Sequence, residues 1–316
     1  MNILKILISL FLISSLNASN LSPNKKFEIS GGATDLVINN NKLYVATNDS
    51  KIDIFKLNDF TKISTIVIPK TTDFMGEVIG SKIYSLDVLN EDILILSQGK
   101  RGARKIDIFT DGKLVNIIPE SKRLFIAQAK FIDNSKIIFS LLSNELLVYD
   151  LKKKKILYNR QVSQSKFSYF ALDEKKEKIV VADESGNLKL CDVKDGNILK
   201  TFKNQNLDNV FQVDFKNNKI LTAGQDRRAV FYDDFNTYYK ESGFLIYSCA
   251  LNKNATLGAY SSNENNDITI FDTSSKTDLY KLKKNKMTPT KILFINDNEI
   301  LVASDDKNIN YYKIKE

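Results

Sequence analysis

Short apolar stretches alternate with polar turns along almost the whole chain, and seven of these stretches recur at an even spacing. Each spans four residues that favour β-structure, and most carry apolar side chains at the first and third positions. The stretches are residues 52–55, 106–109, 146–149, 188–191, 229–232, 268–271 and 309–312. Their last residues are separated by 54, 40, 42, 41, 39 and 41 positions. This spacing predicts an internal repeat with one insertion, at residues 69–81.

Each repeat contains four short strands separated by turns. The fifth repeat shows all four in order, at residues 211–215, 219–223, 229–232 and 238–239. Four strands in about 40 residues are typical of a propeller blade. The sequence therefore predicts an all-β, seven-bladed β-propeller. An open solenoid or a two-sheet sandwich is the alternative, but a sandwich does not explain so even a repeat.

The last repeat has room for three strands only. A fourth candidate strand lies at the other end of the chain, at residues 27–30. We expect this N-terminal strand to complete the last blade beside residues 310–314, because ring closure removes two exposed strand edges. Truncation of residues 19–33 should then destabilise the whole ring.

The first residues have the pattern of an export signal. Lys5 precedes an apolar run at residues 6–13, and small residues follow up to Ala18. The apolar run is too short to cross about 30 Å of hydrocarbon as a helix, which disfavours a membrane anchor. We predict a signal peptide at residues 1–18 and a single propeller domain at 19–316. The processed chain is expected to be periplasmic, monomeric and not inserted into the membrane.

The composition disfavours most catalytic chemistry. The chain has no His and no Trp, and histidine is both the commonest metal ligand and the usual general base near neutral pH. We expect no cofactor. Cys191 and Cys249 fall two blades apart on internal strands, so we favour buried free thiols over a disulfide.

The formal net charge is +8, but lysines are spread along every segment. This distribution favours a solvated surface over nucleic-acid binding. Two turns between second and third strands concentrate cations. They contain the candidate partner-binding residues Lys100, Arg101, Arg104, Lys105, Arg227 and Arg228. Such turns could dock an acidic protein or be merely solvated, and acidic residues in the matching turns of blades four and six make this face mixed.

The repeats resemble WD40-like propellers, through an aromatic residue or Cys191 followed by aspartate at positions 150, 192, 233 and 272. Residues 43–48 are similar to the Tyr-Val-Thr-Asn motif of bacterial extracytoplasmic propellers. The tryptophan and the Gly-His pair of WD40 repeats are missing, so their buried Asp-His-Ser/Thr-Trp network cannot form.

The export signal, the His-free ring and the Lys/Asn-rich usage also resemble the NapL family of accessory proteins, which are encoded with periplasmic nitrate reductase. This resemblance implies a non-enzymatic scaffold that assists assembly or electron supply of a periplasmic redox enzyme complex. The alternatives are a metal-dependent lactonase-like hydrolase and a small-molecule-binding propeller.

Overall fold

The computed structural model describes residues 18–314, and these contain 31 strands. In chain order the strands are β1 Ser19–Leu21, β2 Lys25–Glu28, β3 Ala33–Asn39, β4 Lys42–Thr47, β5 Lys51–Lys56, β6 Lys62–Val67, β7 Thr71–Thr72, β8 Val78–Ile79, β9 Ile83–Leu89, β10 Asp92–Gln98, β11 Arg104–Thr110, β12 Lys113–Ile118, β13 Ile126–Asp133, β14 Lys136–Leu141, β15 Glu145–Asp150, β16 Lys155–Gln161, β17 Phe167–Leu172, β18 Lys178–Asp183, β19 Leu188–Asp192, β20 Ile198–Phe202, β21 Val210–Lys216, β22 Lys219–Gly224, β23 Arg228–Tyr232, β24 Thr237–Glu241, β25 Cys249–Leu251, β26 Leu257–Ser261, β27 Ile268–Asp272, β28 Asp278–Leu282, β29 Pro289–Asn296, β30 Glu299–Ser304 and β31 Asn308–Lys313. Two single-turn 3-10 helices, Lys100–Gly102 and Glu120–Lys122, lie beside blade two.

The strands form seven antiparallel sheets arranged as the blades of a propeller. Blades one to six are β3–β6, β9–β12, β13–β16, β17–β20, β21–β24 and β25–β28, and blade seven is β29–β31 with β2. The first strand of every blade contacts the first strand of the next blade, and β29 contacts β3. The ring is therefore closed, and the predicted seven-bladed β-propeller is confirmed.

Burial falls from the inside of each blade to its outer edge. In blade four, every residue of β18 after Lys178 is buried, because neighbouring blades cover both faces of this strand. The outer strand β16 of blade three is exposed at all positions except Tyr158. The second strand of a blade consequently has a nearly continuous apolar sequence, whereas the fourth strand mixes apolar and polar residues.

The N-terminal strand completes the last blade, as predicted. Strand β2 pairs antiparallel with β31, with Phe27 opposite Ile309. The Phe27 ring stacks on Phe60 with centroids 4.7 Å apart, and meets Phe55 edge-on at 5.0 Å. Strand β2 starts two residues before the predicted one. Its contacts bury an aromatic cluster between blades seven and one.

A short strand that the sequence did not predict precedes the closing strand. Strand β1 pairs in parallel with β28, the outermost strand of blade six. The amide of Lys283 donates a hydrogen bond of 2.8 Å to the carbonyl of Leu21, whose side chain packs against the core between blades six and seven. The predicted signal peptide lies outside the described residues apart from Ala18. Within residues 18–314, no helix is long and apolar enough to cross a membrane.

Two further expectations from the sequence are confirmed. Cys191 and Cys249 are buried free thiols, in strands of blades four and six. The insertion at residues 69–81 forms a small hairpin from β7 and β8 between blades one and two.

Candidate partner-docking face

The loops of a propeller lie on two faces. The turn between the first and second strands of a blade and the turn between its third and fourth strands lie on one face, which we call the lower face. The turn between the second and third strands and the loop that leads to the next blade lie on the other, the upper face. Blades one to six follow this arrangement because each is an antiparallel sheet with sequential strands, and blade seven follows it with β2 as its fourth strand.

The upper face exposes large apolar side chains at five of its seven loops between blades. These residues are Phe74, Met75, Val78, Phe125, Leu207, Phe244 and Met287. Among the described residues, the turns of the lower face expose one large apolar side chain, Phe235. Exposed apolar side chains are thus concentrated on the upper face, which makes this face the candidate for partner binding.

Three of the six predicted docking cations are exposed on the upper face: Lys100, Arg101 and Arg227. Lys100 and Arg101 lie in the 3-10 turn of blade two, and Arg227 lies in the corresponding turn of blade five. Each turn contains a left-handed residue, Arg101 with φ 50° and Arg227 with φ 65°. Lys100 and Arg101 belong to blade two and Arg227 belongs to blade five, so the exposed cations do not form one patch.

The other three cations are held by contacts within the chain. The Arg104 guanidinium lies 3.9 Å from the centroid of the Tyr84 ring and donates a hydrogen bond of 2.6 Å to the carbonyl of Ile126. Burial lowers the pKa of Arg104. The Nζ of Lys105 lies 3.2 Å from the Oδ2 of buried Asp107.

Arg228 is held in the same way as Arg104, with its guanidinium 4.3 Å from the Tyr239 ring centroid and a hydrogen bond of 2.9 Å to the carbonyl of Gln205. These contacts give Arg104, Lys105 and Arg228 roles in the fold. Partner binding by the six cations stays a prediction.

The basic turn of blade two and the insertion touch each other. Gly102 has φ +73°, and a Cβ at this position would lie 3.1 Å from the Cζ of Phe74. Glycine therefore lets the turn pass directly under the Phe74 ring. We call hairpin 69–81 together with turn 99–103 the hairpin–turn unit. Sequence reasoning named both segments but gave no signal that they meet.

A charged cluster lies in the central channel. The Nζ of Lys130 in blade three lies 3.1 Å from the Oδ2 of Asp35 in blade one. The Nζ of Lys291 in blade seven lies 3.5 Å from the other carboxylate oxygen of Asp35. Lys291 also donates a hydrogen bond of 2.5 Å to the hydroxyl of Tyr169 in blade four. The cluster thus joins four blades across the channel.

The charges of this cluster stabilise one another. Burial alone would raise the pKa of Asp35, but the ammonium groups of Lys130 and Lys291 outweigh it and hold the pKa below its ordinary value. Burial opposes the charged form of Lys291, but Tyr169 and Asp35 raise its pKa. Below the cluster, a cavity of about 440 Å³ opens toward the lower face between Asp173, Lys216 and Lys253.

Other polar side chains of the channel wall bond to the backbone of the next blade. Asp35 accepts a hydrogen bond of 3.0 Å from the amide of Leu86. The further contacts of this kind are Asp87 to Phe131, Gln128 to Phe170 and Asp214 to Leu251. These groups satisfy amides between blades, a structural role that the sequence analysis did not identify. Within residues 18–314, no group of three or more Asp, Glu, Cys or His side chains is arranged to hold a metal ion.

Comparison with known proteins gives the fold and leaves the function open. No family model and no curated protein matches the chain, so the resemblance to NapL gains no support. The β-propeller domain of Cps50 (Swd1) from Myceliophteria thermophila matches with a TM-score of 0.74 and 13% identity, over 93% of this chain and 99% of that chain. At this identity the likeness shows the fold alone. The chain is therefore a seven-bladed β-propeller with a WD40-like fold.

Proposed function

We propose that this chain is a non-enzymatic scaffold that binds partner proteins on its upper face. The observation that carries the proposal is the exposure of large apolar side chains at five of the seven upper-face loops between blades. Loops on a rigid framework are common binding elements. The central channel supports the non-enzymatic part of this proposal. Its charged groups Lys130, Lys291 and Asp35 form ion pairs with one another, so their charges are already used within the chain.

The site of action that we propose is the periplasm. The N-terminal pattern, one cation followed by an apolar run and small residues, supports export of the chain. A periplasmic redox enzyme complex such as nitrate reductase is the partner class that the sequence resemblance implies. The signal pattern and the His-free ring support this partner class, and the test below detects any partner.

The test places a photo-crosslinking amino acid at position 207 or 244 of the upper face, and at position 235 of the lower face as a matched control. Periplasmic extract is irradiated with each variant, and the products are identified by mass spectrometry. We expect one defined protein complex to crosslink through positions 207 and 244 and not through position 235. Equal crosslinking from both faces, or none, would contradict the proposal.

The lower-face cavity favours small-molecule binding as a second candidate function. Its volume of about 440 Å³ lies within the range of about 300–1,000 Å³ that is usual for ligand sites. Screening small carboxylic acids and sugars by thermal shift would test this candidate. A ligand of the cavity should lose its effect in a variant with a bulky side chain at a partly exposed position of the cavity wall, such as Lys216→Trp.

A further inference from the structure

The hairpin–turn unit combines exposed apolar and exposed cationic side chains at one place. Phe74 and Met75 are 78% and 87% exposed, the third-highest and second-highest values among the exposed large apolar residues. Phe74 lies against Gly102, next to the exposed side chains of Lys100 and Arg101. An apolar tip at this location is a candidate anchor for a partner, since binding energy concentrates in a few large side chains.

A cavity of about 440 Å³ lies beside this tip, between the hairpin and blade two. Lys70, Thr71 and Lys100 contribute to its wall. The hydroxyl of Thr71 is buried and has no hydrogen-bond partner among the described residues. This hydroxyl has almost no accessible surface, so the cationic groups that a ligand can reach in the cavity are the ammonium groups.

The acidic groups of the cavity wall already have partners in the chain. Asp107 accepts a hydrogen bond of 2.7 Å from the amide nitrogen of Asn116 and pairs with Lys105. Glu120 accepts a hydrogen bond of 2.8 Å from the backbone amide of Lys100. Among the described residues, the ammonium groups of Lys70 and Lys100 form no ion pair. Three lysines and two carboxylates line the cavity, so its wall carries a net positive charge.

We propose that the hairpin–turn unit binds a protein segment in which an acidic residue stands next to a large apolar residue. The carboxylate enters the cavity and contacts the ammonium groups of Lys70 and Lys100. The apolar side chain packs on Phe74 and Met75. Charge complementarity favours an acidic segment, because ammonium groups donate strong hydrogen bonds to a carboxylate. The inference rests on the proposed scaffold function and assigns it a partner chemistry.

The probe for this inference is a display library of random short peptides, selected on the purified chain. We expect enriched peptides to combine acidic residues with an aromatic or aliphatic anchor. Their affinity, measured by fluorescence anisotropy, should fall on the order of tenfold or more with Phe74→Ser, and equally with Lys100→Glu plus Arg101→Glu. The charge-reversed variant should itself select basic peptides. These side chains are exposed, so the variants should fold, and circular dichroism melting checks that they do.

Matched controls are Phe235→Ser, at an exposed apolar position of the lower face, and Lys152→Glu plus Lys155→Glu, at exposed cations of blade three. These changes should leave the affinity unaltered. Enriched peptides that lack acidic residues would overturn the inference. Peptides that lose affinity with Leu207→Ser and not with Phe74→Ser would overturn it too, while they would leave the scaffold function standing.

A lipid surface is the competing occupant, since aromatic tips flanked by cations also insert into membranes. Co-sedimentation with vesicles that contain phosphatidylserine distinguishes the two. Binding to these vesicles that Phe74→Ser abolishes would overturn the protein-segment inference. No enriched peptide, together with no crosslinked partner at positions 207 and 244, would refute both the inference and the scaffold function.

Discussion

Lys291 and Tyr169 meet across the central channel, from blades that are nearly opposite in the ring. The ammonium group donates a hydrogen bond of 2.5 Å to the phenol oxygen and lies 5.1 Å from the centroid of the phenol ring. Both side chains are largely removed from water, and Lys291 also pairs with Asp35. One lysine thus connects blades one, four and seven.

Replacement of this lysine should destabilise the ring strongly. We expect Lys291→Met to lower the free energy of unfolding by about 3–5 kcal/mol, because it removes one partner of a buried ion pair. Tyr169→Phe removes one hydrogen bond to a charged group and should cost about 1.5–3 kcal/mol. Guanidinium denaturation measures both. Lys152→Met, at an exposed lysine, is the control, and a cost as large as that of Lys291→Met would contradict the prediction.

Ring closure should depend on the aromatic contacts of Phe27. We expect Phe27→Ala to cost about 3–5 kcal/mol, because it empties the space against Phe60 and Phe55. Glu28→Ala changes an exposed neighbour in the same strand and should stay within about 0.5 kcal/mol of the unsubstituted chain. Thermal unfolding followed by circular dichroism gives both values. Equal melting temperatures for the two variants would show that β2 does not close the ring.

The two thiols should be inert in the folded chain. Burial raises the pKa of Cys191 to about 12 and raises the pKa of Cys249 well above its ordinary value. Since the thiolate is the reactive form, both cysteines should fail to react with Ellman's reagent at pH 8. Both should react after unfolding in guanidinium. Reaction of either thiol in the native protein would contradict their burial.

One turn of blade three should contribute a measurable acid dependence. Burial acts to raise the pKa of Asp133, but hydrogen bonds from Ser135 and Lys136 outweigh it and lower the pKa to about 2. A lowered pKa gives stability that is fully present above the unfolded value of about 3.9 and is lost as the pH falls through about 2.

Asp133→Asn should therefore cost up to about 1 kcal/mol near pH 6, since the group is partly exposed and screened. This difference from the unsubstituted chain should disappear near pH 2. Urea denaturation across this pH range measures it. Asp234→Asn, at an exposed turn residue of blade five, is the matched control variant. A cost that is the same at both pH values would refute the role of ionised Asp133.

The sequence predicted the blades well because burial within a blade is periodic. The run at residues 179–182 is apolar because neighbouring blades cover both faces of β18, and its recurrence gave the ring. Strand β1 was missed because Ser19, Asn20 and Leu21 are too few to form a periodic pattern. Its pairing depends on the free edge of β28, which is distant in sequence.

The candidate docking residues show which features of the site could not be predicted from the sequence. Lys100 and Arg104 stand in one basic run, but Lys100 is exposed whereas Arg104 lies on Tyr84. Local sequence cannot distinguish the two cations, since the ring that covers Arg104 is fixed by the fold. The contact between Phe74 and Gly102 could not be predicted from local sequence either, because the fold brings the two segments together. Lys291 and Tyr169 likewise carry no sequence signal of their contact.

The strand that completes blade seven also sets the order in which the protein can mature. A ribosome makes residues 25–28 long before their partners at 308–311. Until then Phe27 and the unpaired strand edges of the first and last sheets are exposed and must be kept from contact with other chains. If the polypeptide is threaded through a translocase, the ring can be completed only on the far side of the membrane. The time taken by threading would then set the interval during which chaperones are needed.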